Sequence, residues 1–342
     1  MVWCVPRTCR TSRNGGQCGA SGGCRGRGSI MRLVGDIGGT NARFAWIDEN
    51  GDPQSPMTLP VRDYATIGDA MHDFMVKTDC ADLNEFAVAV ACPASADIIK
   101  FTNNPWVFSK DALKAEFGLD RLVVVNDFTG LAMSVPYLGD EDLITLFDGP
   151  GRPGLPLAVI GAGTGLGVSG LLRHDDHWIP IQGEGGHVSL PAVDDLDYEI
   201  VKFLSAELGR VSAERILSGM GLENLYRALA AIDGIDVTPL SAAEIVENAM
   251  QKNDPLCLKV LDRFCLFMGG VAGDLVLTLG AFDGVFIGGG IGPRIADFMK
   301  QSGLKDRMIA KGRFHDLMND VPVRLMTAKY PALIGCAKIL TA

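Results

Sequence analysis

At 342 residues, 47% of them hydrophobic and 21% charged, the chain is long enough for two ordinary domains and apolar enough to bury a large core. Its formal net charge of −10 argues against a general binder of nucleic acid. No apolar run has the length of a bilayer span: 84–92 is short, and 271–287 is broken by Asp274 and Asp283.

Residues 1–30 stand apart from the rest. They hold Arg7, Arg10, Arg13, Arg25 and Arg27, no acidic residue, and Cys4, Cys9, Cys18 and Cys24. The segment has no apolar period with which to build a core. It reads either as an Arg-rich leader or as a disordered tail ahead of a true start at Met31. Its cysteines lack zinc-site spacing. Cys80, Cys92, Cys257, Cys265 and Cys336 lie in apolar context and read as reduced core residues of a cytosolic protein.

From Met31 the chain alternates strands and helices. Two apolar runs, 32–36 and 42–48, flank a turn through Ile37, Gly38, Gly39, Thr40 and Asn41, a pattern that predicts a β-hairpin. A glycine turn leaves backbone N–H groups open to a phosphate, and Asp36 sits where a hydrated Mg²⁺ would ride with a nucleotide. A helix is predicted over 66–77, and a buried strand over 86–91. Ser109 reads as the N-cap of a helix 110–117 that stops at Gly118. The β-branched strand from Arg121 runs into Asn126-Asp127. Ligands of open α/β sheets bind at the carboxyl ends of strands, which places this pair where chemistry is done; alternatively, Asp127 caps a helix over 128–135.

The opening device then recurs. Residues 157–172 again read strand, glycine turn (Gly163, Thr164, Gly165), strand, which suggests internal duplication. No GxxxxGK[ST] loop is present, and the strand after Gly167 rules out a dinucleotide fingerprint, so a pair of facing hairpins holding the phosphates of one nucleotide fits best. Gly183-Glu184-Gly185-Gly186-His187 projects an acceptor and a switchable donor from a turn. Glu214 reads either as part of this constellation or as a simple pair with Arg215. Ser241 and Glu244 form a capping box for a helix to about 251, and a long helix over 255–279 carries Gly269, Gly270 and Gly273 for close packing. A third glycine turn with Gly289 and Gly290 follows the strand from Gly284 and leads to a helix opened by Pro293. A strand over 321–326 and a helix over 331–340 close the chain.

Taken in order, Gly35–Arg43, Asn126-Asp127-Phe128, Gly161–Gly167, Gly183–His187, Ser212–Gly219 and Gly284–Pro293 resemble the motifs of bacterial-type glucokinases, in the actin-like ATPase and sugar-kinase superfamily. The resemblance runs from Met31 to the C-terminus. It implies an α/β fold of the two-domain actin-like (ribonuclease H-like) ATPase type, with a cleft between a small domain, 31–137 completed by 328–342, and a large one, 138–327. It implies ATP on Gly35, Asp36, Ile37, Gly38, Gly39, Thr40, Gly163, Thr164, Gly165, Gly289 and Gly290, with Mg²⁺ arriving on ATP and oriented through water by Asp36. Glucose would be held by Asn103, Asn126, Asp127, Glu184, His187 and Glu214, with Asp127 as general base to the 6-hydroxyl. The resemblance implies a homodimer, and composition points to a cytoplasmic protein without nucleic-acid or membrane partners. Val188-Ser189-Leu190-Pro191-Ala192 stands where a related group of sugar kinases and repressors carries a zinc-binding cysteine cluster, which separates the chain from that group. A silent sensor of the same fold would lack the acid at 127, and a chaperone- or filament-type relative would lack the Asn-Asp and Gly-Glu-Gly-Gly-His sets.

Overall fold

A computed structural model describes residues 30–80 and 82–341, so both readings of the Arg-rich segment 1–30 concern positions outside the described residues, Ile30 aside. The first sheet grows around β1 (Arg32–Ile37), which pairs antiparallel with β2 (Asn41–Ile47) as the hairpin pattern predicts. β3 (Pro53–Pro60) follows at the edge, a place that suits a strand holding three prolines, none of which can donate to a ladder. After α1 (Ile67–Lys77), capped by a reciprocal Thr66–Asp69 box, β4 (Glu85–Val90) joins β1 in parallel. A small hairpin, β5 (Ile98–Lys100) with β6 (Val107–Ser109), leads to α2 (Lys110–Phe117). Ser109 caps α2 through Ala112 N–H, and Gly118 ends it in the left-handed conformation, both as expected. β7 (Arg121–Asn126) lies parallel to β4, giving the order β3-β2-β1-β4-β7. It runs directly into α3 (Asp127–Ser134).

The second sheet opens with β8 (Leu143–Phe147), then β9 (Leu157–Ala162), β10 (Leu166–His174) and β11 (His177–Ile181). The helical block is α4 (Asp195–Leu208), α5 (Gly219–Asp233), α6 (Ala242–Lys252) and α7 (Pro255–Leu279). β12 (Gly284–Gly288), α8 (Ala296–Gln301), α9 (Leu304–Ile309), α10 (His315–Asn319), β13 (Val323–Met326) and α11 (Pro331–Thr341) complete the chain. The sheet order is β11-β10-β9-β12-β13-β8. With β8 set aside, this repeats the first sheet strand for strand, so the recurring hairpin marks a duplicated sheet. Three boundaries differ from the sequence reading. Pro293 opens a 3₁₀ turn (Gly292–Arg294) instead of a helix, which starts only at Ala296; the β13 ladder begins after Pro322; and Asn126, not Asp127, caps α3. α4 and α5, capped by Asp194 and Ser218, are helices beyond those predicted.

Two glycines of α7 do what their spacing suggested. A Cβ at Gly269 would collide with the backbone carbonyl of Leu304, and one at Gly273 would lie 2.5 Å from that of Met308, so α9 packs backbone to backbone on α7. The five described cysteines are buried. Among the described residues no helix is long and apolar enough to cross a membrane.

The closing helices are exchanged between the sheets. α3 leaves the first sheet, yet Phe128, Leu131, Ala132 and Met133 pack with Val159, Leu171 and Phe286 of the second. α11 leaves the second sheet, yet Leu333, Cys336 and Ala337 pack with Val34, Ala87 and Ala89 of the first. Arg121 of β7 secures α11 by donating to the carbonyls of Ile339 and Leu340, each at 3.1 Å. The helices cross where Gly335 meets the carbonyl of Gly130, with no space for a methyl group between them. Gly335→Ala is expected to lower stability by about 1–3 kcal/mol or more through overpacking, read as a lower denaturant midpoint with an unchanged slope.

Candidate active site

The first glycine turn is closed by Gly38 N–H donating to the Asn41 carbonyl at 3.0 Å. Asn104 supports it from outside, its amide donating to the Gly38 carbonyl at 3.0 Å, and the Asn103 backbone crowds Gly39. Gly38, Gly39 and Thr40 form the surface of the turn. Gly35 and Ile37 are buried within β1, the former against Phe44, Phe86 and Val88. Hairpin register sets Asp36 opposite Arg43, and the two form an ion pair of 3.0 Å. Burial pushes the Asp36 carboxyl above its ordinary value, and Arg43 opposes that rise.

The second and third turns lie side by side because β9 and β12 are parallel neighbours. Gly163 N–H donates to the Gly165 carbonyl at 2.8 Å, and Gly289 adopts φ +85° against the carbonyl of Ala162. The segment carrying Glu214 clamps the second turn at both ends. One Glu214 carboxylate oxygen accepts from Leu166 N–H at 3.0 Å, and Gly219 N–H donates to the Gly163 carbonyl at 2.9 Å. The alternative pairing of Glu214 with Arg215 is not formed: Arg215 turns to Met220 Sδ.

The Gly183–His187 turn ends in a 3₁₀ turn, Gly185–His187, that packs closely on β10. His187 Nδ1 stands 3.9 Å from the other Glu214 oxygen, and Arg210 donates to the His187 carbonyl at 2.8 Å. Glu184 is exposed, its side chain making no capping bond.

Between these turns stands the first residue of α3. Asn126 Oδ1 and Asp127 Oδ1 both accept from Phe128 N–H at 2.9 Å, while the Asn126 amide reaches the Cys92 carbonyl at 3.5 Å. The Asp127 carboxyl is raised to about 6. Burial is the main cause; the Phe128 N–H works against it, and the nearby charges of Asp36 and Glu184 add to it. The fold therefore brings Asp36, Asp127 and Glu184 into one neighbourhood, and Glu214 with His187 into another against the second turn. Among the described residues no group of three His, Cys, Asp or Glu could hold a metal ion. Arg43, Asn104 and Arg210 are participants that the sequence pattern does not single out. Arg43 could have been found by counting across the hairpin, whereas Arg210 carries no local signal.

A family model for glucokinase matches residues 33–342. The chain belongs to the glucokinase family. It is 44% identical to the glucokinase of Nitrobacter hamburgensis over 313 residues, covering 91% of this chain and 97% of that one. Similarity to the glucokinase of Hahella chejuensis is 41% over 309 residues, 90% of this chain and 96% of the relative. A crystal structure of glucokinase from an Antarctic psychrotroph superposes with a TM-score of 0.84 at 35% identity, covering 92% of this chain and all of that one. The fold is thus the two-domain actin-like fold of the sugar kinases.

The raised Asp127 carboxyl has a thermodynamic signature. Its folded value of about 6 lies above the ordinary ~3.9 of an unfolded chain, so between these values the folded state holds the extra proton and stability falls as pH rises. Asp127→Asn removes that loss. The variant is expected to match wild type in melting temperature near pH 4, pull ahead as pH rises through 6, and hold its lead above pH 7, as read by scanning calorimetry.

Proposed function

We propose that this family member transfers the γ-phosphoryl group of ATP to the 6-hydroxyl of D-glucose, with Asp127 as the general base. The observation that carries the assignment is the Asp127 carboxyl, held near 6 at the head of α3 between the glycine turns and the Gly183–His187 turn. A sugar hydroxyl is a weak nucleophile until its proton has an acceptor. A base whose value lies just below neutral pH is mostly ionised there and still strong enough to take the proton. As the new O–P bond forms, the hydroxyl proton passes to Asp127 and ADP leaves with the electrons of the broken P–O bond.

Phosphoryl transfer has a loose transition state, so the remaining residues position and neutralise. Backbone N–H groups of Gly39, Thr40, Thr164 and Gly165 hold the phosphates, those of Gly38 and Gly163 being spent in closing their own turns, and the turn at Gly289 and Gly290 receives the nucleoside. Asn126, Glu184, His187 and Glu214 take the other sugar hydroxyls, with Asn103 beside the first turn. Glu214 keeps one oxygen on Leu166 N–H and offers the other. Once closure over the sugar takes these groups out of water, a sugar lacking one hydroxyl is penalised because a partner is left unpaired. A solved structure with this fold, a ROK family glucokinase from Streptomyces griseus at 19% identity and TM-score 0.60, is in complex with glucose and AMPPNP.

Mg²⁺ fits this donor set only as a hydrated ion. Arg43 occupies one Asp36 oxygen, leaving a single carboxylate oxygen for its water shell, which suits an ion carried in on ATP. When bound, Mg²⁺ supplies neutralisation of the phosphate charge. The division into a small domain, 31–137 with 328–342, and a large one, 138–327, belongs to this reading, as do closure over the substrates, cytoplasmic location and a homodimer. Light scattering that reports the mass of one chain would overturn the dimer.

A coupled assay with Mg-ATP and a hexose panel tests the core of the proposal. Asp127→Asn should bind glucose normally but lose about 10²–10⁴-fold in kcat. The acid limb of wild-type kcat/KM should fall near pH 6 and vanish in the variant. Glu184→Ala should chiefly raise the KM for glucose. Near-normal turnover of Asp127→Asn would remove the base assignment, and an unchanged KM would remove Glu184 from the sugar site.

A further inference from the structure

We infer that Phe128 is a positioning residue for the reaction: its ring, seated on a row of glycines in the second sheet, sets where the Asp127 carboxylate stands relative to the phosphate turns. The inference rests on the reading of Asp127 as base.

Gly167, Gly161 and Gly288 are register partners on three adjacent strands, β10, β9 and β12. Together they make a strip of sheet surface without side chains. The Phe128 ring lies on it. A Cβ at Gly167 would fall within the ring, in contact with its Cγ, Cδ2 and Cε2 atoms, and one at Gly161 would come to 2.9 Å from Cζ. Leu131, one turn further along α3, covers Gly288 at 3.2 Å. A sheet interior gains nothing from glycine unless something approaches closely, and here an aromatic ring does.

The seat lies next to the chemistry on both sides. Gly161 is two residues before Gly163, and Gly288 directly precedes Gly289, so the strip is the part of the sheet that feeds the second and third turns. On the helix side, Phe128 follows Asp127, and its N–H is the donor shared by Asn126 and Asp127. A ring that rides higher or lower on the strip therefore carries the capping donor and the carboxylate with it. Misplacement of a reacting group by about 1 Å can cost about 10²-fold in rate.

The test uses Phe128→Ala, Phe128→Leu, Gly167→Ala and the Gly167→Ala/Phe128→Ala pair in the full chain, beside Asp127→Asn. Phe128→Ala and Gly167→Ala are expected to lose about 10–100-fold in kcat, while KM for ATP and calorimetric glucose affinity stay within about threefold. In Phe128→Ala, water admitted around the carboxyl should move the acid limb below its wild-type position near 6. Phe128→Leu, which refills the slot, should recover much of the rate and secures the test if the alanine variant folds poorly. In the double variant the methyl group occupies space the ring has left, so its kcat should be no lower than that of the worse single variant. A kcat within about twofold of wild type in Phe128→Ala would overturn the inference. So would a parallel fall of kcat, glucose affinity and melting temperature with the acid limb unmoved, which would mark plain core packing. Turnover retained in Asp127→Asn would instead sink the base assignment. Turnover lost in Asp127→Asn but kept in Phe128→Ala would sink the positioning role alone.

Discussion

The structure depends on how closely one short helix can approach its surroundings. α3 is pressed between a strip of glycines on the second sheet and the backbone of α11, and at both faces the contact is made against main chain. Contact of that kind leaves few alternative arrangements, since there is no side chain to swing aside. These contacts fix the helix whose head carries Asn126 and Asp127.

Charge at that point works in the opposite sense. Asp36, Asp127 and Glu184 gather with Arg43 as the local cation, and Arg43 is committed to Asp36. Burial, with a smaller contribution from the two neighbouring carboxylates, lets Asp127 keep a proton up to about pH 6. The helices packed beside the second sheet show the contrasting solution. Asp194 and the fully buried Asp197 are each matched by both Arg263 and Arg307, so that site is neutral and serves to fix the start of α4. The doubly paired Asp194 and Asp197 are structural, whereas Asp127, which has no cation of its own, is the candidate for proton transfer.

Much of this was legible in the sequence where the signal is local. The glycine hairpins, the Ser109 and Ser241 caps and the apolar run of α7 declare themselves within a few residues, and the structure places them within a residue or two of expectation. The order of motifs was enough to name the family. What stayed hidden depends on residues far apart in the chain. Nothing near Phe128 reveals that Gly161, Gly167 and Gly288 align beneath it, and Glu214 reveals its hold on Leu166 N–H only once 48 positions of chain have folded back. β3 was obscured for another reason: its prolines argue against a strand everywhere except at an edge, and edge position is a property of the sheet.

The exchange of closing helices bears on how the chain is made. The apolar face of the first sheet, with Val34, Ala87 and Ala89, is covered by residues 331–341. During synthesis that face has no cover until nearly the whole described chain has left the ribosome, although the strands that form it emerge first. The early sheet is an unfinished, sticky surface for most of translation, and its completion requires a contact spanning some three hundred residues. Such a molecule carries an aggregation-prone face through most of its synthesis.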